Sequence, residues 1–62
     1  MTWAKGVNEF GRRVLTSDQW TIQQNPGRGG LPATFDLSLG GRPVARVNTL
    51  AQAKVLAESE AQ

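Results

Sequence analysis

The clearest alternation of apolar and polar positions lies in the last third of the chain. Residues 35–39 alternate strictly, which is typical of a strand with one buried face. Gly40–Gly41 follows and favours a type I′ hairpin turn, because both central positions of that turn need positive φ. The pattern therefore predicts a second strand over residues 44–48, with Ala45 and Val47 facing the core.

A helix is predicted directly after this hairpin. Thr49 and Gln52 have the spacing of a capping box, in which the threonine at the N-cap satisfies free backbone amides of the first turn. The helix is expected to continue to about Glu60 and to pack one apolar stripe on the sheet. That stripe consists of Leu50, Ala53, Leu56 and Ala57.

One further strand is predicted upstream. Residues 20–24 alternate between apolar and polar and include β-branched residues, as half-buried strands do. Ser17–Asp18 is a turn signal before it, and the glycine- and proline-rich residues 25–32 form a connection after it. These signals predict three antiparallel strands covered by one helix.

The first part of the chain is predicted to be a short helix or arm. Trp3, Val7 and Phe10 recur at steps that place them on one face of a helix, and Gly11 is a suitable stop. The alternative is an irregular arm that becomes ordered only on binding. The expected fold class is thus α+β, in one domain over 1–62, with a helix or arm over 1–16 and a three-stranded sheet plus helix over 17–62.

The predicted core lies between the helix and one face of the sheet. It consists of Trp20, Ile22, Phe35, Leu37, Leu39, Ala45, Val47, Leu50, Ala53, Leu56 and Ala57.

Composition argues against an enzyme. The 62 residues include no His and no Cys, which removes the usual general bases, the thiol nucleophile and the ligands of structural zinc. We therefore expect no catalysis, no cofactor and no metal. No apolar run suggests a signal peptide or a membrane span, so no membrane partner is expected. The absence of Cys fits the expectation of a cytoplasmic protein. The net charge of +2 favours an acidic partner only mildly.

Two surfaces are candidate binding sites. The stripe Trp3, Val7 and Phe10 could anchor a protein partner, since buried aromatic residues dominate interface energies, or could build a homodimer. The polar face of the sheet could instead contact DNA. On this reading Arg46 and Asn48 contact base edges, and Arg42 in the hairpin turn contacts a phosphate. Arg28, at the tip of its loop, could contact a phosphate or a carboxylate, and Arg12 and Arg13 are further candidates for DNA binding.

The run from Val44 to Val47, followed by the threonine-capped and alanine-rich residues 49–57, resembles a known family. It is similar to the three-stranded-sheet DNA-binding domains at the N-termini of phage integrases, whose fold plant ethylene-response factors share. The resemblance implies a sheet in the major groove with the helix packed behind it. The element order also resembles the double-stranded RNA-binding domain, but only Lys54 supplies a cation near the start of the last helix. In its small size, the chain also resembles compact phage-encoded proteins that bind a host protein.

The function expected from the sequence is that of a non-enzymatic binding module. We expect an accessory protein of a phage or mobile element that docks on a host protein and modulates it. The first alternative is a small DNA-binding protein that uses the exposed sheet face. The second is a homodimeric structural protein.

Overall fold

The computed structural model describes residues 2–60. It contains five strands followed by one helix. The strands are β1 (Ala4–Val7), β2 (Arg13–Ser17), β3 (Trp20–Asn25), β4 (Thr34–Leu39) and β5 (Arg42–Val47), and the helix is α1 (Leu50–Glu60).

The five strands form a single antiparallel meander in the order β1-β2-β3-β4-β5. Leu15, Ile22, Leu37 and Ala45 stand side by side across β2 to β5, which places their side chains on one face. This is the face on which α1 packs. The opposite face, called the open face below, carries Gln23, Asp36 and Arg46 among others.

The hairpin and the helix cap predicted from the sequence are confirmed. Gly40 and Gly41 have φ values of 59° and 86°, as a type I′ turn requires. The amide of Gln52 donates to Oγ1 of Thr49 over 3.1 Å, so the threonine caps the helix. The phase predicted for the last strand also holds, and Val44 is an extra residue that forms a β-bulge in β5.

The predicted helix over residues 3–10 and the three-stranded sheet are wrong. The N-terminal region instead forms β1 and β2, so the fold is α+β with five strands. Asn8 stabilises the turn between these two strands, because its Oδ1 accepts the amides of Phe10 and Arg12, each over 3.0 Å. Residues four apart share a face in a strand as well as in a helix, so the spacing of Trp3 and Val7 suits both.

The core between α1 and the sheet is small. Trp20, Ile22, Leu37, Ala53 and Ala57 are buried. The other predicted core residues surround them and are half-buried, except that Leu39 at the end of β4 is 37% exposed. A core of this size is consistent with the limited burial expected of a chain this short.

Candidate functional site

The helix is too narrow to cover the sheet. Five strands about 4.8 Å apart span about 19 Å between the outermost strands, whereas a helix with its side chains is about 10 Å wide. The Cα atoms of α1 accordingly come within 8 Å of β3, β4 and β5 but not of β1 or β2. The part of the helix-side face formed by β1 and β2 is therefore not covered by the helix.

The uncovered part forms a groove of about 620 Å³ between α1 and the first two strands. Leu15, Ile22 and Phe35 contribute its apolar floor, and Trp3 and Leu50 also line it. Volumes of several hundred Å³ with mostly apolar lining are typical of ligand sites. We call this feature the cationic groove, because positively charged side chains line it on several sides.

Three cations line the groove, and they come from three different elements. Lys5 lies on β1, Arg13 on β2 and Lys54 on α1. No acidic side chain is among the lining residues. Within residues 2–60, no carboxylate forms an ion pair with any of these three side chains, and the Asp36–Arg46 ion pair lies on the open face. The groove thus combines an apolar floor with three positive charges that are not paired with carboxylates of residues 2–60.

Trp3 adds a buried hydrogen-bond donor at the side of the groove. Its indole ring packs against the core, and its Nε1 is buried without an acceptor among the described residues. An unsatisfied buried donor costs about 1–3 kcal/mol. The wall of the groove therefore contains a hydrogen-bond donor that is unsatisfied within the described residues.

The open face is occupied by a chain of hydrogen bonds between its own side chains. Asn8 donates to Gln23 over 3.2 Å, and Gln23 donates to Asn25 over 3.1 Å. Asn25 then donates to Oδ2 of Asp36 over 2.7 Å. Arg46 completes the chain by donating from Nε to Oδ1 of Asp36 over 2.7 Å. The chain links residues of the β1–β2 turn, β3, β4 and β5.

Asp36 and Arg46 stabilise each other in the ionised state. The hydrogen bond from Arg46 lowers the pKa of Asp36, burial opposes this effect, and the bond from Asn25 lowers the pKa further. The bond to Asp36 in turn raises the pKa of Arg46. Asp36 therefore places a carboxylate, already paired, at the middle of the open face.

The residues predicted to contact DNA do not form one surface. Arg46 is paired with Asp36, and Arg13 lies on the opposite face, in the cationic groove. Arg42 begins β5 beside the Gly40–Gly41 turn, at one end of the sheet. Arg12, Arg28 and Asn48 lie in connections at the other end.

The residues predicted to anchor a protein partner are divided between two places. Trp3 and Val7 both line the cationic groove. Phe10 lies in the turn between β1 and β2, outside the groove, and is 77% exposed. Lys5 and Lys54 were not among the site residues predicted from the sequence. Alternation of Trp3, Lys5 and Val7 along one strand face is the signal that could have identified the first of these lysines.

Other kinds of site are not found in the described part of the chain. Among residues 2–60, no three or more His, Cys, Asp or Glu side chains are grouped as a metal site requires. No helix in the same range is long and apolar enough to cross a bilayer.

Comparison with known proteins provides no relative from which a function could be transferred. No family model, curated protein or solved structure matches this chain. A function must therefore be inferred from the geometry and charge of the molecule itself, above all from the cationic groove.

Proposed function

We propose that this protein is a non-enzymatic binding module that docks on another protein, and that the cationic groove holds an acidic and apolar segment of that partner. The observation that carries the proposal is the part of the helix-side face that α1 leaves uncovered, where an apolar floor lies beside Lys5, Arg13 and Lys54. The apolar floor, together with cations that form no ion pair within residues 2–60, favours a segment that supplies both apolar side chains and carboxylates.

The two properties of the groove have different roles. Burial of apolar surface contributes roughly 25 cal/mol per Å², so the contacts with Leu15 and Phe35 would supply most of the affinity. The cations would steer an acidic partner toward the groove and would disfavour basic segments. Affinity and selectivity would thus come from different side chains.

A protein partner is favoured over DNA by the state of the open face. Arg46 is already engaged by Asp36, and that carboxylate lies where phosphates would have to approach. The other arginines predicted for DNA contact are spread over both faces and both ends of the sheet. DNA binding therefore stays an alternative prediction, and a phage origin and a host protein as the partner stay predictions made from the sequence.

The proposal is tested by selecting binders from a random-peptide display library on the immobilised protein. We expect enrichment of peptides that combine Asp or Glu with large apolar residues. The double variant Lys5→Glu/Lys54→Glu should lose these peptides, because it reverses charge at two sides of the groove.

The matched control is Arg28→Glu/Arg42→Glu. It changes the net charge by the same amount at exposed positions outside the groove, and it should retain the selected peptides. Enrichment of peptides without acidic residues would contradict the proposal. Equal loss of binding in both double variants would also contradict it, because a general charge effect would then explain the selection.

A further inference from the structure

The two edges of the sheet differ in their capacity to pair with another strand. β5 carries Pro43, which has no amide hydrogen, and the bulge at Val44, and both features disfavour pairing. β1 forms the opposite edge, and its four residues Ala4–Val7 are all exposed. No strand lies beyond β1 within residues 2–60. The β1 edge is therefore the edge of the sheet that can pair with an added strand.

The hydrogen-bond pattern of the first hairpin identifies the backbone groups that point outward from β1. The amide of Asn8 donates to the carbonyl of Arg12 over 3.0 Å, and its carbonyl accepts the amide of Gly11, so the backbone groups of Asn8 point toward the second strand of the hairpin. This direction alternates from residue to residue along an antiparallel strand, so Ala4 and Gly6 direct their backbone groups toward β2. The amides and carbonyls of Lys5 and Val7 consequently point away from the sheet.

Lys5 and Val7 also line the cationic groove. An antiparallel strand added to this edge would pair with these two residues, and its side chains opposite them would lie on the groove side. We propose that the partner segment binds as an added antiparallel strand on β1, with an acidic side chain opposite Lys5 and an apolar one opposite Val7. This inference rests on the proposed function and specifies its binding mode.

A second copy of this chain is a poorer occupant of the same edge. Antiparallel pairing of two β1 strands through Lys5 and Val7 would place both Lys5 side chains on one face, directly opposite or diagonal to each other, and like charges directly opposite destabilise a sheet. The carboxylate of an acidic segment would instead be attracted to Lys5. The positive charge on β1 therefore favours an acidic partner strand over a second copy of β1.

The test uses a capped heptapeptide with the sequence threonine, valine, threonine, glutamate, threonine, valine, threonine. In a strand, the two valines and the glutamate share one face and can face the groove. In an antiparallel addition their amides bond to β1, while the threonine amides point outward. Methylation of the valine and glutamate amide nitrogens should weaken binding by at least about tenfold, since several hydrogen bonds are lost. Methylation of the threonine amides should leave the affinity unchanged.

Amide hydrogen exchange provides a second measurement on the same complex. In the free protein, Lys5 and Val7 should exchange faster than Gly6, whose amide faces β2. Saturation with the unmethylated heptapeptide should slow the exchange of Lys5 and Val7 selectively.

Three results would overturn strand addition. They are no binding of the parent heptapeptide, equal affinities for the two methylated forms, and the reversed order, which indicates a parallel strand. The first two leave the groove itself to be decided by the library selection and its charge-reversed variants. Failure of the binding mode and failure of the proposed function are therefore distinguishable.

Discussion

Single residues decide which face of the sheet remains available for a partner. Asp36 is central because it accepts hydrogen bonds from both Arg46 and Asn25, and so joins three strands through side chains alone. Each of these polar groups is used within the protein. The open face is thus better explained by its contribution to sheet cohesion than by recognition.

The lowered pKa of Asp36 predicts a pH dependence of stability. Because the folded pKa lies below that of an unfolded aspartate, about 3.9, the pairing with Arg46 stabilises the fold above that pH. The contribution is lost as the pH falls through the lowered folded pKa. Asp36→Asn should therefore lower the free energy of unfolding at neutral pH, and its difference from the wild type should vanish in acid.

Urea denaturation at a series of pH values measures this difference. Glu60→Gln is the matched control, since it removes a carboxylate at the end of α1, away from Arg46. A constant difference between Asp36→Asn and the wild type from neutral pH to strong acid would be inconsistent with an ionised Asp36 as the stabilising partner.

At the scale of elements, much of the structure was predictable because the signals are local. The strand over 35–39, the Gly40–Gly41 turn and the threonine cap each depend on a few adjacent residues, and each was predicted correctly. β1 was not, because the spacing of Trp3 and Val7 fits a strand face as well as a helix face. Whether that segment forms a strand depends on its pairing with β2, which the local sequence of the segment does not reveal.

The turn between β4 and β5 provides a prediction at the element scale. Gly41 has a φ of 86°, and nothing lies within 4 Å of an added Cβ, so only backbone conformation opposes a side chain there. Gly41→Ala should cost about 1–2 kcal/mol of folding free energy. The measurement is chemical denaturation followed by tryptophan fluorescence.

Gly6→Ala is the contrasting control for this turn variant. Gly6 lies in β1 without a positive φ, and its added Cβ would meet only the side chain of Val14, at an ordinary 3.8 Å. A glycine within a strand is less stable than alanine by about 0.5–1 kcal/mol, so this variant should be neutral or slightly stabilising. Equal destabilisation by both variants would contradict the conformational explanation.

At the scale of the whole molecule, the groove exists because one helix packs on a sheet of five strands, which is wider than the helix. The sequence indicated the helix and its apolar stripe, but the groove depends on how many strands the sheet contains. With the three strands predicted, one helix would have left little of the face uncovered. Lys5 and Lys54 come together at the groove only through the complete fold, so no local pattern could relate them.

The charge on the β1 edge predicts the oligomeric state. Because pairing of two β1 strands brings Lys5 side chains together, the chain should sediment as a 6.7 kDa monomer. Lys5→Thr removes that repulsion while keeping a good strand former, and it should promote dimers at high concentration. A stable wild-type dimer in sedimentation velocity would instead support the homodimeric alternative.

NMR mapping can establish whether the cationic groove is the surface that binds the partner. The peptide most enriched in the library selection would be titrated into the isotope-labelled protein. We expect chemical-shift changes concentrated at Lys5, Leu15 and Lys54, which line the groove. Changes centred instead on Asn25, Asp36 and Arg46 would place the binding site on the open face and refute the assignment of binding to the groove.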